Sequence, residues 1–367
     1  MGKTQPVGWR WPFQRWLMGT SCRQIWRFLS CSGLGIGLVF ALAACSAPLG
    51  GGSASKPDVD ITLASFVVAR AAHNAIIPKF QSQWQQEHNQ RVHFRQSYGG
   101  SGSQTRAIID GLAADVAHLA LSLDTDKLVP AGLIQPDWAQ QFPNTSIVSQ
   151  SVAAIVVRPG NPKNIQNWAD LARPDVQWIT ADPKTSGVAR WNFLALWHAA
   201  IQSGAAEAKA TEFLTTAFRN VPILARDARE ATDVFAKGQG DALLNYENEV
   251  FLALAQGKKL EYVIPDVNIS ITNPIALIDK NVDRHGSREV AAAFVKFLYT
   301  PLAQMEFAKA GFRPIDPAIA KDPQFASKFP VVKNLGTVED YGGWSAVQQQ
   351  FFDDGALFDQ IQTNLRS

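Results

Sequence analysis

From Asp58 onward, short apolar runs alternate with longer stretches in which apolar residues return every three to four positions. The short runs, bounded by polar or turn-forming residues, predict strands at 61–65, 92–94, 116–121, 154–157, 177–180, 242–246, 262–264 and 274–278. Between them the spacing predicts helices. Ala72, Ile76, Phe80 and Trp84 recur every four residues, but Pro78 inside that pattern predicts a kink or break, because proline removes a donor and crowds the preceding turn. The stretches 188–203 and 287–299 are uninterrupted. The second places Ser287 as an N-cap and Val290, Phe294, Phe297 and Leu298 on one face. Strands alternating with helices predict an α/β fold. The aromatic residues in these helices read as core, not as a cofactor site.

The pattern changes before Asp58. Residues 1–44 carry Lys3, Arg10, Arg15, Arg23 and Arg27 and no acid; an apolar run at 34–42 follows, then small residues. That order is the order of an export signal. The run is shorter than the about 20 residues a membrane-spanning helix needs. Leu42-Ala43-Ala44-Cys45 looks like the bacterial lipoprotein signal, in which cleavage leaves the cysteine first and acyl chains on Cys45 hold the protein on a membrane. The Gly/Ser-rich stretch 45–57 lacks periodicity and predicts a flexible tether. Met18 is an alternative start.

Composition refines this picture. With 46% hydrophobic and 18% charged residues over 367, the chain is an ordinary folded protein long enough for two domains. The formal charge of +2 comes from the leader: without its five basic residues, 29 basic face 32 acidic residues. A body of that sign does not attract nucleic acid, and any anion must be held by local donors. Cys22 and Cys31 lie in the leader and Cys45 at its end, so the body holds no disulfide.

Candidate chemistry sits at two places where Gly and Ser precede a helical pattern. One is Ser97-Tyr98-Gly99-Gly100-Ser101-Gly102-Ser103-Gln104 and the other is Lys184-Thr185-Ser186-Gly187. A helix start leaves backbone N–H groups unpaired and carries partial positive charge, while glycine admits close approach and serine adds a hydroxyl. That combination seats a tetrahedral oxyanion. For one such segment alone, a plain loop with an N-cap is the stronger reading; two of them after strands point to a ligand. Catalytic residues are not indicated. No Gly-Lys-Ser/Thr follows the glycines as a nucleotide loop needs, no dinucleotide fingerprint is present, and no nucleophile-elbow motif surrounds Ser101. The histidines (His73, His88, His93, His118, His198, His285) are scattered, so neither a metal site nor a cofactor is predicted.

At these same residues the chain resembles the bacterial sulfate- and thiosulfate-binding proteins of ABC transporters, as a cyanobacterial-type lipoprotein member. The likeness runs from about 60 to about 360. It is carried in order by GGSGSQ (99–104), HLALSLD (118–124), VVRPGNPKNIQNWADL (156–171), PKTSGVARWNFLALW (183–197), GDALLNYENE (240–249), GFRPID (311–316) and YGGW (341–344). GGSG alone is weak; the ordered set is specific.

The resemblance implies an α/β, two-lobed periplasmic-binding-protein fold of type II, each lobe a Rossmann-like sheet flanked by helices. Lobe I takes 58–150 and about 270–315, lobe II takes 151–269, and 316–367 crosses back. It implies a non-enzymatic receptor that closes on dehydrated sulfate with neutral donors and presents it to an inner-membrane permease driven by a cytoplasmic ATPase. Carried over by position, Ser101 offers a hydroxyl, Ser186, Gly187 and Val188 a hydroxyl and N–H groups, and Ala228 a backbone N–H. Tyr246 stands where familiar members have a tryptophan donor, and Val67 where some carry aspartate, which leaves that first-loop contact open. Asp227 and Glu247 are expected to orient donors or pair with arginines. The expectation is a monomer in the periplasm, tethered through Cys45. Thiosulfate, molybdate or another tetrahedral oxyanion is the alternative ligand, and pocket size discriminates. A hydrolase would need a base beside Ser101, and a membrane-coupled sensor would share the same pocket.

Overall fold

In the computed structural model, which describes residues 56–366, the strands fall into two five-stranded sheets of the same plan and one two-stranded sheet. They are β1 (Val59–Phe66), β2 (Val92–Gly99), β3 (Val116–His118), β4 (Ile147–Ser151), β5 (Ala153–Val157), β6 (Trp178–Ala181), β7 (Leu224–Ala225), β8 (Ala242–Tyr246), β9 (Glu261–Val263), β10 (Val267–Ile269), β11 (Ile271–Leu277) and β12 (Asn334–Gly336). The first sheet runs β2-β1-β3-β11-β4, with β1 parallel to β2 and β3, and β11 antiparallel to both its neighbours. The second runs β7-β6-β8-β5-β9, with β6 parallel to β7 and β8, and β5 antiparallel to both its neighbours. Helices flank each sheet, so the α/β alternation read from the sequence is the architecture observed.

The chain passes between the sheets at Val152, between β4 and β5, and again between β10 and β11. Asn268, fully buried, fastens the first crossing: its side chain accepts from Ala153 N at 3.1 Å and donates to Ala153 O at 2.9 Å. β10 pairs in turn with β12, far along the chain.

Aromatic packing holds the layers. In the first sheet, Phe80 on the helix Arg70–His88 meets Phe94, Phe294 and Phe297. In the second, Phe193 on the helix Gly187–Gln202 meets Phe218, Phe351, Phe352 and Phe358, so residues 351–358 cover that helix from behind. Trp344 closes edge-on against Trp191 at 4.5 Å. Each such buried ring contributes about 1.5–3 kcal/mol by leaving water.

Three local expectations are corrected. The helix Arg70–His88 runs unbroken through Pro78. Its buried face (Ala72, Ile76, Phe80, Trp84) outweighs the about 3 kcal/mol that an interior proline costs. Ser287 precedes the helix Arg288–Phe297 but does not cap it: its hydroxyl donates instead to Asp115 Oδ1 at 2.7 Å. The predicted strand at 116–121 stops at His118, and 119–121 turn toward the cleft between the sheets. β4, β7, β10 and β12 were not predicted. β4 reads Ile-Val-Ser-Gln-Ser, with too little alternation to register, and the others are two or three residues long.

Candidate functional site

A narrow cleft lies where the ends of the two sheets face each other. It is lined by Phe66, Val67, Val68, Gly99, Gly100, Ser101 and Ala120 from one side and Ser186, Gly187, Val188, Asp227 and Ala228 from the other. Both Gly/Ser segments therefore open on one hollow.

Each wall is the start of a helix. β2 ends at Gly99; Gly100 is extended, and the helix Ser101–Ile109 begins without a side-chain cap. Its first bond is Gln104 N to Gly100 O at 2.9 Å, which leaves the earlier amides without a helical acceptor. Ser101 Oγ accepts from Ala120 N at 3.0 Å, so its own hydrogen is free to be donated. Across the cleft, the helix Gly187–Gln202 starts after Ser186. Ser186 N–H is taken by Asp182 O at 2.9 Å, so on this side the Ser186 hydroxyl and the first helical amides, Gly187 and Val188, are left at the cleft. The helix Ala228–Ala236 is capped by Asp227, whose Oδ1 accepts from Arg229 N and Glu230 N at 3.0 Å each and leaves the Ala228 amide to the cleft. Val67 opens a 3-10 turn (Val67–Ala69) that runs into the helix Arg70–His88. Four positive helix ends thus point at one cavity.

The two sides touch closely. A Cβ on Gly100 would stand 2.5 Å from Thr185 O, and one on Gly187 2.6 Å from Leu121 Cδ2 and 2.7 Å from Ala120 Cβ. Trp191 Nε1 donates to Ala120 O at 2.8 Å, and Arg190 Nη1 reaches Asp124 Oδ1 at 3.1 Å, both across the cleft.

Electrostatically, the cleft is a set of neutral donors. No Lys, Arg or His is among its lining residues, and the one acid, Asp227, is spent as a helix cap. Glu247 lies away from the lining, gripped by Arg313 at 2.7 and 2.9 Å; burial raises its pKa and Arg313 opposes that rise. Tyr246, fully buried at the end of β8, is not a lining residue. Its hydroxyl makes no hydrogen bond to protein, although it lies beside the Asn273 side chain, and burial pushes its pKa well above the usual tyrosine range. Ala120, Gly99, Gly100, Phe66 and Val68 also line the cleft. The sequence signal for Ala120 was the motif HLALSLD, which carries no polar side chain at that position. Among the described residues no cluster of His, Cys, Asp and Glu could hold a metal ion, and no helix is long and apolar enough to cross a membrane. Cys45 and the stretch 1–55 lie outside the described residues.

The family model of the bacterial extracellular solute-binding proteins matches residues 61–313. The chain belongs to this family. Similar proteins narrow the assignment. The sulfate-binding protein of Synechococcus elongatus is 52% identical over 337 residues, covering 91% of this chain and 96% of that one. That of Synechocystis is 49% identical over 335 residues, covering 89% and 95%. The solved sulfate-binding protein SubI of Mycobacterium tuberculosis superposes with a TM-score of 0.74 at 39% identity, covering 80% of this chain and all of that one. The fold is that of the type II periplasmic binding proteins, and this solute-binding chain is not an enzyme.

Proposed function

We propose that the chain binds sulfate in the cleft between its two sheets for uptake by an ABC-type sulfate transporter. The observation that carries this reading is the convergence of Ser101, Ser186 and four helix starts on one hollow with no cationic side chain. Such a site replaces the hydration shell of a doubly charged anion with hydrogen-bond donors. Six charge-assisted bonds at ~1.5–3 kcal/mol each exceed the about 8 kcal/mol that micromolar affinity requires, leaving a margin for desolvation. Ser101, Ser186, Gly187, Val188 and Ala228 are the donors we assign, with Tyr246 behind them and the Val67 turn completing the first wall.

Donor-only chemistry also gives selectivity. Sulfate is fully ionised at neutral pH, whereas phosphate keeps protons that want an acceptor, and a buried unpaired proton costs about 1–3 kcal/mol. Val67 supplies no carboxylate to take it. Titration calorimetry with sulfate, thiosulfate, molybdate and phosphate tests the assignment. Sulfate should bind most tightly, and phosphate displacing it at equal concentration defeats the reading.

The same proposal takes 58–150 and about 270–315 as one lobe, 151–269 as the other, and 316–367 as segments that cross back. The lobes hinge at the crossings near Val152 and β10–β11. The closed monomer would dock on a membrane permease driven by a cytoplasmic ATPase, and Cys45 would tether it in the periplasm. Radiolabelled palmitate incorporation with and without Cys45→Ser tests the tether.

A further inference from the structure

We propose that Asn273 is a positioning residue that fixes the hydrogen-bond polarity of the anion cleft, acting through Ala120 and Tyr246. Asn273 lies on β11, the strand by which the chain re-enters the first sheet, at an irregularity in its pairing with β4 next to Pro274. It is fully buried. Its Nδ2 donates to Ala120 O at 3.0 Å, and its Oδ1 accepts from Ser149 Oγ at 3.0 Å.

Only one orientation of that amide is consistent, because a backbone carbonyl accepts and never donates. The constraint runs outward. Ser149 spends its hydrogen on Asn273, so it must receive one from His118 Nε2 at 3.4 Å. His118 Nδ1 then accepts from His73 Nε2 at 3.0 Å. Tyr98, 3.1 Å from His73 Nδ1, gives its hydrogen to Gln96 Oε1 at 2.7 Å, so the donor chain runs from His73 through His118 and Ser149 to Asn273. This supplies a use for two fully buried histidines that do not line the cleft and belong to no metal-holding cluster among the described residues.

The constraint also runs inward. Asn273 Nδ2 has a second hydrogen, and the Tyr246 hydroxyl, which makes no hydrogen bond to protein, lies beside the Asn273 side chain. An N–H directed at the phenol oxygen leaves the phenol hydrogen to be given to the ligand. Ser101 follows the same rule: its oxygen receives the Ala120 amide and its hydrogen faces outward. Ala120 is therefore held on both sides, by Asn273 and by Trp191 of the opposite wall.

The inference rests on the reading of the cleft as a sulfate site, and one experiment separates the two. Sulfate and phosphate affinities are measured by calorimetry for the wild type, Asn273→Asp, Asn273→Ser, Tyr246→Phe and the Asn273→Ser/Tyr246→Phe double variant, with thermal unfolding of each ligand-free protein. Asn273→Asp keeps the shape and turns the donor into an acceptor, so Tyr246 aims its hydrogen at Asp and its lone pairs at the cleft. Sulfate affinity is expected to fall at least about tenfold, and the preference for sulfate over phosphate to shrink with it. Asn273→Ser should cost at least about fivefold less affinity in the Tyr246→Phe background than in the wild type. Costs that multiply independently, or a sulfate-to-phosphate ratio unmoved by either Asn273 variant, overturn the inference; a wild type that ignores sulfate overturns the reading beneath it. Should Asn273→Asp fail to fold, the serine cycle alone decides.

Discussion

Arg190 Nη1 stands 3.1 Å from Asp124 Oδ1, and both side chains are almost fully buried although they belong to helices on opposite sides of the cleft. Lys127 adds a weaker contact to the same oxygen at 3.6 Å, while Asp124 Oδ2 has no protein partner. The pair ties the approach of one wall to the other. Asp124→Asn should leave Arg190 buried and uncompensated, at a cost of roughly 3–5 kcal/mol. Sulfate calorimetry and urea unfolding in the presence of sulfate should both register that loss. Unchanged values in both would mean that the pair does not secure the closed cleft.

The close approach at glycine gives a second expectation. Gly187→Ala would push a methyl into Leu121 and Ala120, and Gly100→Ala into the Thr185 carbonyl, in each case across the cleft. Neither glycine has an unusual φ, so the ligand-free protein should unfold near the wild-type temperature. Affinity for sulfate should drop by at least about tenfold, because overpacking costs about 1–3 kcal/mol. An alanine variant that binds within about twofold of wild type would show that the contact is absent from the liganded state.

Tyr246→Phe and Ser101→Ala should behave differently from each other. The Tyr246 hydroxyl has no protein acceptor, so its removal should weaken sulfate binding by about 1–3 kcal/mol, while ligand-free stability should fall less than in Ser101→Ala, because Asn273 Nδ2 keeps its bond to Ala120 O. Ser101→Ala removes a donor to the ligand and also orphans the Ala120 amide, so it should lower both affinity and stability. Paired calorimetry and thermal melts distinguish these patterns, and a Tyr246→Phe protein with wild-type affinity removes Tyr246 from the site.

Acid should destabilise the fold through His73 and His118. Burial pulls His73 down to about 3 and His118 well below its ordinary value, with His73 a further influence on His118. Both are neutral when folded and titrate near 6.5 when unfolded. Their contribution is therefore complete above pH 6.5 and is lost as pH falls below it, at about 1.4 kcal/mol per pH unit for each histidine. Glu249 acts in the opposite sense: burial raises it to about 7, against the pull of Arg229, so it costs stability as pH rises from about 4.5 to 7. Urea unfolding from pH 4.5 to 8 should show a net rise toward neutrality, and Glu249→Gln should steepen it. A flat profile in His73→Gln relative to wild type is expected; an identical slope would contradict the neutral-histidine assignment.

How much of this was legible in the sequence follows from where the signal lies. Gly99–Gln104 and Lys184–Gly187 stood out because glycine and serine before an apolar period have few other uses, and both reached the cleft. Ala228 and Val67 carry no polar side chain; what they contribute is a backbone position, and only the family resemblance could point to them. The Pro78 expectation failed because propensity is local while the burial of Phe80 and Trp84 is not. Ser287 looked like a cap and serves Asp115, a partner far away in sequence. Asn273 gave no signal at all, since a lone asparagine inside an apolar run says nothing about which carbonyl it will meet.

The covering of the helix Gly187–Gln202 by Trp344, Phe351 and Phe352 has a consequence for the order of assembly. The wall that presents Gly187 and Val188 is finished by residues synthesised long after it, so a growing polypeptide leaves Trp191 and Phe193 partly uncovered until Phe352 has emerged. A chain truncated before Trp344 should therefore remain protease-sensitive and blind to its anion, whereas one that includes Trp344, Phe351 and Phe352 should become resistant on adding sulfate.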